Sequence, residues 1–123
     1  ATLEAIAMQV ADVLRAMVSD AGSPVTELKV DGGAAGNDLL LQLQADLLGV
    51  SVVRSAIQET TALGAAYLAG LGIGYWADES ELSRMWQSNG QFAPAISADE
   101  RESRIAIWRR AVERSRGWAN VGG

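Results

Sequence analysis

The stretch best placed to do chemistry is Asp31-Gly32-Gly33-Ala34-Ala35-Gly36-Asn37. A short run rich in β-branched residues, 25–30, leads into it and a leucine-rich run leads out, so it reads as a strand-to-helix turn. The glycines let the backbone turn tightly and come close to a bound group. The start of the following helix offers backbone N–H groups to an anion or a planar ring. Asn37 brings both a donor and an acceptor. Asp31, at the strand end, is read first as the residue that caps or orients the turn, with approach to a metal ion as the alternative. The spacing is neither Gly-x-Gly-x-x-Gly nor the phosphate loop that ends in Gly-Lys-Ser/Thr. Taken alone, Gly-Gly after a strand signals a turn before it signals a ligand.

Two absences narrow the chemistry further. The 123 residues include no Cys and no His, which removes thiol nucleophiles, disulfides, Cys- or His-ligated zinc and imidazole acid–base catalysis. The formal net charge of −5 gives no general attraction to nucleic acid or to an anionic membrane. Six of the ten positive charges, Arg101, Arg104, Arg109, Arg110, Arg114 and Arg116, cluster near the end. Asp99, Glu100, Glu102 and Glu113 interleave with them, which marks a solvated helix face rather than a basic patch. Asp78, Glu79 and Glu81 sit where a short helix would begin, and its dipole alone accounts for them. The tryptophans, Trp76, Trp86, Trp108 and Trp118, read as core and rim anchors for the terminal helices rather than as stacking platforms.

The elements that must position the turn follow from periodicity. Residues 3–18 form an amphipathic helix with Leu3, Ile6, Val10, Val13, Leu14 and Met17 on its face, closed by Gly22 and Pro24. After the strand and the turn, a second helix runs to about Leu48. Leu39, Leu40, Leu43 and Leu47 form its face, with Leu41 and Leu48 widening it, so it should be buried on more than one side. Gly49 ends it. Residues 50–53 form a second strand. Thr60 or Thr61 caps a third helix, whose Ala62, Gly64, Ala65, Ala66, Ala69 and Gly70 suit close approach to a sheet or another helix. Residues 79–87 form a short helix, Ser88-Asn89-Gly90 a turn, and Phe92-Ala93-Pro94 an extended segment. Ser97 opens a last helix over 99–118, with Glu100 placed for a capping box. The order is βαβα, which implies a parallel strand pair. Two strands are too few for a parallel sheet covered on both faces, so part of the domain, or a second copy, is expected to complete it. The apolar run 62–77 is too short and too rich in glycine to span a bilayer. No initiating Met and no basic, apolar leader opens the sequence, so it reads as a piece of a longer protein.

The segment Leu28-Lys29-Val30-Asp31-Gly32-Gly33 with Asn37 resembles the adenosine-binding segment of the FGGY carbohydrate kinases. The run Glu59-Thr60-Thr61-Ala62-Leu63-Gly64-Ala65-Ala66-Tyr67-Leu68-Ala69-Gly70-Leu71, followed by Gly74-Tyr75-Trp76, looks like the same region of the glycerol kinases within that family. The helix Leu39-Leu40-Leu41-Gln42-Leu43-Gln44-Ala45-Asp46-Leu47-Leu48-Gly49, then Phe92-Ala93-Pro94, Glu100-Arg101 and Trp108, continue the match in order.

The resemblance implies an α/β fold, part of an actin-like, ribonuclease-H-like domain: a short parallel βαβα unit with extra helices. Residues 1–123 would be the C-terminal half of the nucleotide-side domain. ATP or ADP is the expected ligand. Gly33 and Asn37 would contact adenosine, Gly32 and Ala34 would shape the loop, and Asp31 would support it. Mg2+ would accompany ATP in the parent enzyme, with no ligand for it identified in this chain. The general base, the phosphate-gripping loops and the polyol pocket would lie elsewhere, so glycerol is a partner only through the rest of the parent and the chain alone should be inactive. A cytoplasmic setting is expected, without nucleic-acid or membrane partners. The sugar pocket is not in this chain, so another FGGY sugar or polyol kinase is the alternative. A non-catalytic self-associating module is a third reading, with Ala65, Ala69 and Gly72 as docking face. Self-association is expected in any case, because missing strands leave an open sheet edge and bare apolar helix faces.

Overall fold

A computed structural model describes residues 1–57 and 59–117. The elements are α1 (Thr2–Ala21), β1 (Glu27–Val30), a 3-10 turn (Gly33–Gly36), α2 (Asp38–Leu48), β2 (Ser51–Ser55), α3 (Thr60–Gly72), α4 (Glu79–Met85), β3 (Ser88–Phe92) and α5 (Ala98–Ser115).

The sheet has three strands in the order β1-β2-β3. As expected, β1 and β2 are parallel, with Glu27 opposite Ser51 and Val30 opposite Arg54. The third strand is a correction. Ser88, Asn89 and Gly90, read as a turn, belong to β3, which lies antiparallel to β2. Their strand propensity is poor, but pairing satisfies backbone groups that β2 would otherwise expose at its outer edge. The register shifts between Arg54, opposite Gly90, and Ser55, opposite Ser88, so Asn89 has no residue directly across from it.

Helix α2 is the centre of the molecule. Leu41 and Ala45 pack on Val52, with Leu28, Val30, Leu48 and Phe92 around them. Leu47 turns the other way and packs with Ala7 and Met8 of α1 and Ile105 of α5, next to Leu43 and Trp108. Burial on two sides is what its all-round apolar sequence requires, although Leu39 remains 61% exposed. Each fully buried leucine contributes about 1.5–3 kcal/mol relative to exposure.

The buried face of α1 differs from the expected one. It consists of Ala7, Met8, Ala11 and Leu14, while Ile6, Val13 and Met17 are exposed. Small side chains at 7 and 11 let α1 lie close to α2, and this close packing selects a different rotation of the helix from the one the largest side chains favour. Polar ties then fix α5: the Trp108 indole N–H donates to Asp12 Oδ2 at 2.8 Å, and Arg15 pairs with Glu102 at 2.8 Å. Ser97 Oγ accepts the Glu100 N–H at 3.2 Å. The return half of the expected capping box is replaced by a Glu100–Arg104 pair at 2.6 Å. The helix stops at Ser115, with Arg116 in an extended conformation, short of the expected end near Trp118, which itself lies outside the described residues.

Helix α3 does not make the close approach its small residues suggest. Ala62, Ala65, Ala66 and Ala69 are exposed, as are Leu68 and Ile73. The exception is Gly70, where an added Cβ would come within 2.0 Å of the Trp76 ring. Among the described residues no helix is long and apolar enough to cross a membrane.

Candidate functional site

The turn 31–37 stands at the carboxyl end of β1, where open α/β sheets carry their ligand crevices. Gly32 adopts φ 82° and ψ 173°, a conformation that side chains on L-residues rarely enter. The turn closes on itself through Ala35 N–H to the Gly32 carbonyl at 3.0 Å and Asn37 N–H to the Ala34 carbonyl at 3.1 Å. The N–H groups of Gly33 and Ala34, first in the 3-10 turn, fall outside that pattern. Gly33 and Ala34 are exposed and Ala35 is buried. Among the described residues, no atom beyond its immediate chain surroundings lies within 4 Å of where a Cβ on Gly33 would stand, so no packing contact there demands glycine.

Asn37 works locally as well. Its Oδ1 accepts the Leu40 N–H at 3.1 Å, capping α2. The cap occupies the acceptor side and leaves the NH2 donor outside it.

Asp31 and Thr60 depart from expectation together. The N-cap of α3 is Glu59, without a side-chain cap bond. Thr60, the first residue of the helix, instead donates its hydroxyl to Asp31 Oδ2. Asp31 therefore ties the end of β1 to the start of α3 rather than capping the glycine turn.

Asp31 also borders a cavity of about 480 Å³ between the sheet, α3 and α4, with Lys29, Ser55, Thr60, Tyr67 and Trp86 among its walls. Gly32, Gly33, Ala34 and Asn37 do not line it. Successive strand residues face opposite sides, so Lys29 and Ser55 look into this cavity while Val30 and Arg54 face α2. The Lys29 ammonium lies 4.2 Å from the Trp86 ring centre. Trp76 meets Tyr67 edge-on at 5.2 Å and Tyr75 at 4.9 Å. Of the tryptophans read as anchors for the terminal helices, Trp108 has that role, Trp76 and Trp86 serve the α3–α4 side, and Trp118 lies outside the described residues.

The acidic group at 78–81 is a helix start. Asp78 Oδ1 accepts the Ser80 hydroxyl at 2.5 Å and the N–H groups of Ser80 and Glu81 at 2.9 and 3.1 Å. These bonds, the Ser80 hydroxyl first, hold its carboxyl below the usual carboxylate range. Among the described residues no three His, Cys, Asp or Glu side chains gather to hold a metal.

Two residues at the turn escaped the sequence reading. The Arg54 guanidinium reaches the turn from β2, and Asn89 of β3 receives it. The available signal was a single charge directly following Val52-Val53, in a strand taken to end one residue earlier.

The family model for the FGGY family of carbohydrate kinases, C-terminal domain, matches residues 1–73. The chain belongs to the FGGY family of carbohydrate kinases. It is 62% identical over 119 residues to a glycerol kinase of Trichlorobacter lovleyi, covering 97% of this chain and 24% of that one. It is also 62% identical over 121 residues to a glycerol kinase of Dechloromonas aromatica, covering 98% and 24%. The chain thus spans about a quarter of the length of these curated relatives. Among solved structures, Plasmodium falciparum glycerol kinase with ADP superposes with a TM-score of 0.81 at 32% identity, covering 93% of this chain and 23% of that one. Xylulose kinase from Lactobacillus acidophilus gives 0.60 at 24% identity, covering 77% and 20%, and at that identity shows the fold alone. The fold of this FGGY chain is accordingly mixed α/β and forms part of the actin-like, ribonuclease-H-like arrangement of these kinases.

Proposed function

We propose that this chain is the nucleotide-side segment of an ATP-dependent glycerol kinase, the C-terminal half of that enzyme's nucleotide-side domain. The observation that carries the reading is the turn itself: a glycine with open space among the described residues where its side chain would be, exposed Gly33 and Ala34 whose N–H groups lie outside the turn's own bonds, and a capping Asn with its donor outside the cap, all at a strand's carboxyl end. Similarity to glycerol kinases over nearly the whole chain and to one solved with ADP supports adenosine as the ligand.

In this account Gly33 admits the adenosine, Asn37 donates to it, Gly32 and Ala34 shape the loop, and Asp31 steadies the strand end through Thr60. The chain supplies one wall. ATP gives its γ-phosphoryl to a glycerol hydroxyl, yielding ADP and glycerol 3-phosphate, only when the rest of the parent closes over it, because phosphoryl transfer depends on positioning and charge stabilisation from all sides. Mg2+ would accompany ATP in the parent; among the described residues no three His, Cys, Asp or Glu side chains gather to hold it, and no step here depends on a metal ligand from this chain. The setting is cytoplasmic. The open edge of β1 and the exposed Leu68 and Ile73 of α3 support self-association of the isolated chain, which light scattering over a concentration series tests: a strict monomer throughout would contradict it.

The functional test is a coupled ADP-release assay on the full-length parent. Glycerol should be the preferred acceptor, and Asn37→Ala should raise the KM for ATP about tenfold, as expected for a lost hydrogen bond together with a lost cap. A parent that phosphorylates a pentulose or pentitol far better than glycerol would overturn the substrate, and an unchanged KM for ATP in Asn37→Ala would overturn the role of the turn.

A further inference from the structure

Arg54 is the charged residue of β2, and its side chain is only 15% exposed. It stands on the face covered by α2, two residues beyond the fully buried Val52, where the sheet reaches the glycine turn. One guanidinium nitrogen, Nη1, donates to the Ala35 carbonyl at 3.2 Å and to Asp38 Oδ1 at 2.6 Å. It thereby holds both the middle of the 3-10 turn and the first residue of α2. Nε donates to Asn89 Oδ1 at 2.8 Å. Asn89 is the residue left over where the register of β2 and β3 shifts, and such an extra residue commonly re-aims a side chain. Directly across from Arg54 is Gly90, where an added Cβ would stand 3.1 Å from Nη2. The Phe92 ring centre lies 5.7 Å from the guanidinium carbon.

We propose that Arg54 is the positioning residue of the nucleotide turn: it holds the turn from behind, with Asn89 and Gly90 of β3 fixing and making room for its guanidinium. The inference rests on the reading of the turn as the adenosine site. The bonds of Arg54 go to the carbonyl of the buried Ala35 and to the exposed Asp38 carboxylate at the start of α2, both acceptors, so they leave the N–H groups of Gly33 and Ala34 unused. Charge-assisted bonds of this length are the strong ones, and a planar fork makes them from several nitrogens at once, which a lysine cannot do. A segment more than thirty residues downstream thereby becomes part of the support of the site.

The test uses the full-length parent and compares KM for ATP, KM for glycerol, kcat and melting temperature in four variants. Arg54→Ala should raise KM for ATP on the order of tenfold, from the loss of several bonds to a charged group, with KM for glycerol and kcat within about twofold. Arg54→Lys, which keeps the charge facing Asp38 but loses the fork, should recover part of that loss. Asn89→Ala and Gly90→Val, which leave the arginine in place but release or displace it, should each raise KM for ATP several-fold. Should Arg54→Ala fail to fold, these two variants decide. An unchanged KM for ATP in folded Arg54→Ala, or in both Asn89→Ala and Gly90→Val, overturns the proposal. So does a parallel fall of all kinetic parameters with melting temperature. If Asn37→Ala weakens ATP while the Arg54 set does not, only this inference fails; if Asn37→Ala is also silent, the adenosine reading fails with it.

Discussion

The two faces of the sheet are built to different degrees. On one, α2 lies against Leu28, Val30, Val52 and Phe92 and is backed in turn by α1 and α5, so that Leu41, Ala45, Leu47 and Ile105 are almost wholly buried. On the other, α3 is apolar on all sides yet buries only Gly70, and Leu68 and Ile73 stay 72% and 82% exposed. A helix that is apolar all round is normally enclosed by protein. The contrast separates what this chain can specify by itself, the turn and its support on the α2 face, from a face whose sequence calls for more protein than the chain provides.

The largest expected difference between the faces is in stability. Leu47→Ala should cost about 2–5 kcal/mol in denaturant unfolding, the range for a buried leucine. Leu68→Ala should change stability by no more than about 0.5 kcal/mol, as at an open surface. Equal losses would mean that α3 is covered, and a midpoint that rises with protein concentration would identify a second copy as the cover.

Next comes the turn. Gly32→Ala should cost about 1–3 kcal/mol, because alanine must enter a backbone region at φ 82° that it resists. A melting temperature equal to wild type would show that the turn relaxes and is not a rigid part of the α2 side.

The smallest effect belongs to α4 on the open side. The folded-state pKa of Asp78 is depressed, so its contribution is present above the ordinary carboxylate value and is lost as pH falls through the lower folded value. Amide exchange at Ser80 and Glu81, after correction for the intrinsic rate, should speed up in acid and be insensitive to pH near neutrality. Asp78→Asn should lessen that acid dependence, and an unaltered dependence would assign it to another group.

Much of the fold was legible because it rests on local signals. Gly22 and Gly49 end their helices in left-handed geometry, Ser97 opens α5, and the Val-rich runs pair in parallel. What escaped depends on contacts distant in sequence. No local property of Ser88-Asn89-Gly90 announces a strand; β2 makes it one. The face of α1 is chosen by how closely Ala7 and Ala11 let α2 approach, which residue size alone misjudges. Thr60 looked like a cap until Asp31, 29 residues away, proved to be its partner. For the candidate site, Gly33 and Asn37 could be named from the sequence, through the family resemblance, as the proposed nucleotide contacts, whereas the Arg54–Asn89 contact behind the turn required the sheet register.

The most direct measurement is a calorimetric titration of ADP into the full-length parent, wild type against Gly33→Val, with melting temperatures recorded without nucleotide. Because, among the described residues, nothing beyond the immediate chain surroundings lies within 4 Å of the added Cβ, the fold should tolerate the change while close approach of adenosine should not. The account predicts a melting temperature near that of wild type and an ADP affinity at least about tenfold weaker, the usual consequence of blocking a close backbone contact of about 1.4 kcal/mol or more. Undiminished ADP affinity in a folded Gly33→Val protein would contradict it.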